Sequence, residues 1–415
     1  MLSVVLAACL LAPWPVQAQP SPGRWERSAT PVFRHARLQN DIAPTGMLQD
    51  RDGLIWIASQ TGLVSWDGYR SRQYIADPNV PGSLPAAFVN ALHEDRQGRL
   101  WVGTDSGGLA RLDKDSGRFE SPTASPQALS STRVFSLADD GADGLWVGTA
   151  QGLDRLDTAS GRVRRHADGG IPPGLAPQRI SALLRDSRGD LWVGTYQGLY
   201  RLGVGAQAFQ ALPTGRAAIE VRRLIEDSEG RVWAGTRESG AFVVEPGAAS
   251  ARQLQDGGGD RQRVETEWVS AIVDVGDHRV WLGTWGQGIV EVDTHTWRTR
   301  RLRHDAEVPA SLAQDTVLAL LRDRSGLVWA SGPNLLDSHD PAQRAVSTWY
   351  GGGGRLLGGA RTQIDAVLAR RDGTVWLGNL SGGIDIVPPD GGPSLRLMPR
   401  DGEPRDALPK ASVIA

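Results

Sequence analysis

Any chemistry in this chain would have to come from arginines, carboxylates, aromatic rings and a few histidines, and their spacing shows which of them to follow. The seven histidines are His35, His93, His166, His278, His295, His304 and His339. None falls into the i,i+4 helical pattern with glutamate that presents two imidazoles to zinc, and no Gly-x-Ser-x-Gly nucleophile elbow occurs. The single cysteine, Cys9, lies in an N-terminal apolar run, so no thiol remains for a disulfide, a thiolate metal site or a nucleophile. The expectation is a chain with no catalytic residue, no metal and no cofactor.

More informative are polar and aromatic residues at two recurring offsets from a series of tryptophans. Thirteen residues before each tryptophan lie Phe88, Arg133, Arg179, Glu220, Trp268, Thr316 and Gln363. Three to six residues after it lie Asp105, Gln151, Tyr196 with Gln197, Arg237 with Glu238, Trp285 with Gln287, and Asn379. Positions that differ between otherwise similar units are where a scaffold carries function, although loops also vary simply because they are solvated. Arg133, Arg179, Glu220, Trp268, Gln363, Tyr196, Arg237 and Trp285 are the candidate ligand-binding residues. Such a set suits a small polar organic ligand, with Trp285, Trp268 or Tyr196 offering a stacking face to a saccharide.

The elements that must position these residues are repeats. DRDGLIWIASQTGL at Asp50 to Leu63 returns as DRQGRLWVGTDSGGL from Asp95, DGADGLWVGTAQGL from Asp140 and DSRGDLWVGTYQGL from Asp186. It continues as DSEGRVWAGTRESGA from Asp227, VGDHRVWLGTWGQGI from Val275, DRSGLVWASGPNLL from Asp323 and RRDGTVWLGNLSGGI from Arg370. The tryptophans are Trp56, Trp101, Trp146, Trp192, Trp233, Trp281, Trp329 and Trp376, separated by 41 to 48 residues. That is the period of a propeller blade.

Each unit reads as four antiparallel strands. Val89 to His93 forms an innermost strand, and Asp-x-x-Gly reverses the chain, since Gly accepts positive φ and Asp can bond amides two residues on. Leu-Trp-Val-Gly-Thr follows, its indole placed to bury between neighbouring blades and its Gly to let another backbone approach. Ala110 to Asp113 and Arg118 to Ser121 complete the unit. Frequent Pro and Gly with an apolar period near two exclude helical solenoids, so the fold class is all-β, a β-propeller. Seven blades are expected, eight being the alternative, with Pro31 to Leu38 available as the outer strand of the last blade and the start of a second propeller beyond.

Lys+Arg total 45 against Asp+Glu 47 in 415 residues, so no strong field exists to collect nucleic acid. Leu2 to Leu11 with Val16-Gln17-Ala18 reads as a signal peptide over residues 1–18, giving an exported, periplasmic product. Residues 19–341 then form the propeller. Residues 342–415 hold a further blade and an incomplete next repeat ending at Ser412 to Ala415, either a truncated second propeller or a closing blade.

The repeat resembles that of the two-component regulator propeller family, whose units carry V-x-x-[IL]-x-x-D-x-x-G-x-[IL]-W-[IV]-G-T-x-x-G-L. The likeness extends to Trp66-Asp67-Gly68-Tyr69 and to Pro81-Gly82-Ser83-Leu84, and covers about residues 31 to 415. The resemblance implies the extracytoplasmic ligand-binding sensor region of a hybrid histidine kinase or membrane diguanylate cyclase, dimeric and anchored in the inner membrane, with the output domains outside this chain. The competing readings are a secreted propeller enzyme acting on carbohydrate, a glycosidase or lyase, and a protein-interaction scaffold.

Overall fold

The computed structural model describes residues 31–37, 42–122, 128–255, 264–306, 308–342, 364–379, 383–388 and 395–397. The leader with Cys9, candidate Gln363 and the closing Ser412 to Ala415 lie outside the described residues. Among the described residues there are eight four-stranded antiparallel sheets, and no helix is long and apolar enough to cross a membrane. The second sheet is representative: Val89–Glu94, Leu100–Thr104, Leu109–Asp113 and Arg118–Glu120 lie side by side in chain order.

Pro31–Gln343 forms one compact unit. The innermost strands of its seven described sheets begin at Pro44, Val89, Val134, Ile180, Val221, Val269 and Ala319. Each packs against the next, and the strand at Ala319 packs back against the strand at Pro44. The seventh sheet takes its outer strand from the other end of the unit: Arg34–Arg37 pairs with Leu335–His339, Arg34 opposite Ser338 and Arg37 opposite Leu335. An edge that would otherwise present unpaired amides is thereby covered. On the opposite side of the seventh sheet Arg324 Nη1 donates to the Arg51 carbonyl at 2.8 Å, a polar tie to the first sheet. The eighth sheet, from Ile364–Ala369, Val375–Asn379, Ile384–Val387 and Leu395–Leu397, lies in a separate unit.

The repeated indoles lie between sheets. Trp56, Trp101, Trp192, Trp233 and Trp281 are at most 2% exposed. Trp101 of the second sheet packs with Val134, Leu137 and Leu145 of the third, Trp233 with Val269 and Leu282 of the sixth, and Trp281 with Val317 and Val328 of the seventh. Removing a fully buried indole of this kind costs about 3–5 kcal/mol.

Asp-x-x-Gly does more than turn the chain. Asp95 Oδ1 accepts the amides of Gln97 and Arg99, both at 3.0 Å, while Oδ2 accepts Trp101 Nε1 at 2.7 Å. The indole bond recurs from Trp56 to Asp50 at 2.8 Å, Trp192 to Asp186 at 2.9 Å, and Trp233 to Asp227 and Trp329 to Asp323 at 2.7 Å. Turn and wedge are therefore one hydrogen-bonded device. In the sixth unit, where the turn aspartate is missing, Trp281 Nε1 donates instead to Glu291 Oε2 on the third strand at 2.9 Å.

The glycine two places after tryptophan meets a side chain and not, as expected, a neighbouring backbone. A Cβ on Gly103, Gly194, Gly235 or Gly283 would come 2.6, 2.5, 2.8 or 2.9 Å from Cγ1 of Val134, Val221, Val269 or Val317, the valine of the next sheet's innermost strand or of the approach to it. The missing side chain is what brings adjacent sheets close enough to share a core.

Candidate functional site

The threonine after that glycine builds the loop that carries the variable residues. Its Oγ1 donates to the glycine carbonyl opening the third strand, at 2.9 Å for Thr104 to Gly108, 3.1 Å for Thr195 to Gly198, and 2.8 Å for Thr236 to Gly240 and Thr284 to Gly288. The next amide then donates to the carbonyl thirteen residues before the tryptophan: Asp105 to Phe88 at 2.9 Å, Ala150 to Arg133 at 3.0 Å, Arg237 to Glu220 at 3.1 Å and Trp285 to Trp268 at 3.2 Å. This bond places the two sets of variable positions side by side on one face of each of these sheets.

Contacts between neighbouring sheets then link these pairs into an arc. Arg133 Nε lies 3.2 Å from Asp105 Oδ1. The Arg179 guanidinium lies 3.6 Å from the ring centroid of Phe135 and 4.5 Å from that of Tyr196. Arg222 Nη1 donates to the Tyr196 hydroxyl at 3.3 Å and to Glu220 Oε1 at 3.1 Å. Glu220 Oε2 is 3.7 Å from Arg237 Nη1, and Arg237 stands 5.3 Å from the Trp268 ring. Trp268 stacks on Trp285 with centroids 4.6 Å apart and planes at 8°. Seven of the eight candidates, Arg133, Arg179, Glu220, Trp268, Tyr196, Arg237 and Trp285, thus belong to one arc; Gln363 lies outside the described residues.

Two members of the arc were not anticipated, Phe135 and Arg222. Both occupy the second residue of an innermost strand, where the pairing register slips between Val134 and Ser136 and between Val221 and Arg223. A bulge residue is left unpaired and re-aimed. In the first, second, fourth and sixth units this position is Thr45, Asn90, Ser181 or Ser270 and ties one sheet to the next: Asn90 Nδ2 donates to the Val134 carbonyl at 3.1 Å and Thr45 Oγ1 to the Val89 carbonyl at 2.5 Å. The signal in the sequence was the change from Thr, Asn or Ser to Phe and Arg at one offset, eleven residues before the tryptophan.

The electrostatics of the arc are uneven. Arg133, Arg222 and Arg237 each have a carboxylate partner, whereas the Arg179 guanidinium makes no hydrogen bond or ion pair with any described residue, and its Nε is buried. Burial holds the Arg179 pKa below the ordinary arginine value; Tyr196 and the charge of Glu220 oppose this, and Arg222 and Arg133 reinforce it. The residue after Arg222, Arg223, crosses the ring to donate to the Thr45 carbonyl of the first sheet and also donates to the Arg222 carbonyl at 3.1 Å. Burial, and then the nearby charge of Arg222, lowers its pKa to about 10. Arg179 and the buried Arg223 are therefore two guanidinium charges without a carboxylate partner among the described residues. Among the described residues no group of three or more His, Cys, Asp or Glu could hold a metal ion.

Residues 83–106 and 174–197 match the two-component regulator propeller family. Each matched stretch runs from the approach to an innermost strand into the loop after its Gly-Thr, and the second contains Arg179 and Tyr196. Among solved structures, the propeller-repeat chain is similar to the extracellular domain of BT3049 from B. thetaiotaomicron, assigned to a hybrid two component system. The TM-score is 0.70 at 20% identity over 87% of this chain and 48% of that one. The extracellular domain of BT4673 from the same organism, assigned to a one component or hybrid two component system, aligns with a TM-score of 0.62 at 22% identity over 92% and 49%. An inactive virginiamycin B lyase from Staphylococcus aureus aligns with a TM-score of 0.57 at 12% identity over 74% and 98%. At these identities the likeness is one of fold. The chain spans about half the length of the extracellular domains it matches. No curated protein sequence matches it.

Proposed function

We propose that this chain is the extracytoplasmic ligand-sensing module of a signal-transduction receptor, periplasmic in location and serving a histidine kinase or diguanylate cyclase output. The observation that carries the reading is the arc from Asp105 to Trp285, built on repeats of the two-component regulator type. The repeated residues are accounted for by turn and core, while the arc residues differ from sheet to sheet and include a guanidinium with free donors. A sensor also requires that its ligand bind two receptor states with different affinity.

The test has two arms. The chain and a variant with Arg133, Arg179 and Trp285 changed to alanine are screened by thermal shift against sugars and organic acids, and the same changes are made in the parent receptor with a transcriptional or cyclic-dinucleotide readout. A compound that stabilises only the unchanged chain and also alters receptor output supports the sensor. Conversion of a screened compound to product, followed by NMR, would instead make the chain an enzyme.

A further inference from the structure

The arc carries information about the charge of its ligand. Arg179 reaches it from the approach to the fourth sheet's innermost strand and is flanked by Phe135 and Tyr196. Ring contacts of this type use the π face of a guanidinium and leave the N–H edge, which is the edge that meets a planar anion through parallel hydrogen bonds. No described residue accepts from that edge. An arginine held by rings in this way has donors that no carboxylate of the described residues accepts, the charge of Glu220 acting on it only without a hydrogen bond.

The neighbourhood adds charge of the same sign. Arg222 shares Tyr196 with Arg179, and Arg223, next on the same strand, is held only by backbone carbonyls. Among the described residues the carboxylate paired with Arg222 is Glu220, 3.1 Å away and also 3.7 Å from Arg237. Arg179, Arg222, Arg223 and Arg237 against the one carboxylate of Glu220 leave an excess of positive charge, which favours an added anion. Beyond Arg237 the arc ends in the Trp268 and Trp285 stack, and Trp285 is 51% exposed, so an organic body has apolar surface to lie on. The two indoles cover one face of each other, which leaves less stacking area for an uncharged sugar than two separate rings would.

We propose that the ligand is a small organic carboxylate, its anion seated edge-on against Arg179 with Arg222 beside it. The inference rests on the sensor reading only in taking this face as the ligand site. It is tested on the full chain by isothermal titration calorimetry at low salt. The probes are matched pairs, galacturonate against galactose, glucuronate against glucose and benzoate against benzyl alcohol, together with inorganic phosphate and sulfate. The expected result is heat from at least one carboxylate and none from its uncharged twin. Arg179→Gln should then weaken binding about 10- to 100-fold, the loss of a charge-assisted pair, and Arg179→Lys should fail to restore it fully. Arg164→Gln, an exposed arginine on the outer strand of the third sheet, should leave the affinity unchanged.

Equal binding of an uncharged twin, unchanged affinity in Arg179→Gln, preference for phosphate or sulfate over every carboxylate, or no binding of any probe would each overturn the proposal. If a carboxylate binds through Arg179 while the parent receptor's output stays constant, the site stands and the sensor reading fails. If the output responds only to uncharged compounds, the sensor reading stands and this proposal fails.

Discussion

Replacing Asp95 with alanine removes four hydrogen bonds from one buried carboxylate. Oδ1 loses the amides of Gln97 and Arg99, both at 3.0 Å, and Oδ2 loses Trp101 Nε1 at 2.7 Å and Arg99 Nε at 2.6 Å. Asp95 is 5% exposed, so the indole N–H is left without a partner inside the interface between the second and third sheets. The turn amides can be rescued by water, but the indole cannot. A hydrogen bond to a charged group is worth about 1.5–3 kcal/mol, and breaking a buried, paired charge about 3–5 kcal/mol, so the expected loss is about 3–5 kcal/mol. Asparagine should rescue little: its amide can accept from the turn only by directing its own donors at the indole.

Urea unfolding of the full chain followed by tryptophan fluorescence measures the effect, with exposed Asp115→Ala as a control expected within about 0.5 kcal/mol of the parent. The effect also has a pH signature. Burial alone would raise the Asp95 pKa, but the Trp101 and Arg99 hydrogen bonds overcome it and hold the pKa below the ordinary aspartate value. A depressed carboxyl pKa contributes stability that is present above the unfolded value, about 3.9, and is lost as pH falls through the folded value. The difference between parent and Asp95→Ala should therefore be full at neutral pH and shrink on acidification below about pH 4. A loss under about 1 kcal/mol at neutral pH, or one that does not change with acid, would refute the assignment of turn and indole to a single bonded unit.

Two further outcomes follow from the same geometry. Gly194→Ala puts a methyl 2.5 Å from Val221 Cγ1 and should destabilise the chain by about 1–3 kcal/mol through overpacking; pairing it with Val221→Ala should recover part of the loss, and an additive double variant would contradict the contact. In the eighth unit Arg370 stands where six other units have the turn aspartate, and Trp376 Nε1 is buried without a partner. Arg370→Asp should supply the missing acceptor and slow amide exchange in Val375–Asn379; unchanged protection would show that the indole does not need it.

Much of the blade was legible because it is local. Asp95, Gly98, Trp101 and Gly103 lie within nine residues, and their turn and strand roles depend on covalent spacing and backbone preference alone. The face that gathers Arg133, Arg179 and Tyr196 was legible for the same reason, since the offset from tryptophan is constant. Phe135 and Arg222 were missed because a register slip in the innermost strand, and not the alternation of an ideal strand, decides where they point. Glu291 was missed because it replaces a turn aspartate from a different strand, a substitution visible only when Trp281 is seen beside it.

The amino-acid sequence by itself determined the repeat, the four-stranded unit, the tryptophan interface and the positions free to vary, because each depends on contacts within about one repeat of chain. Only the tertiary structure decided which variable residues touch. It paired Arg34–Arg37 with the seventh sheet, carried Arg223 across the ring to Thr45, stacked Trp268 on Trp285 and left Arg179 among rings with no hydrogen-bonded carboxylate among the described residues. Those relations depend on how far each sheet is rotated and bulged against its neighbour, which is set by side-chain packing between units and has no counterpart in spacing along the chain.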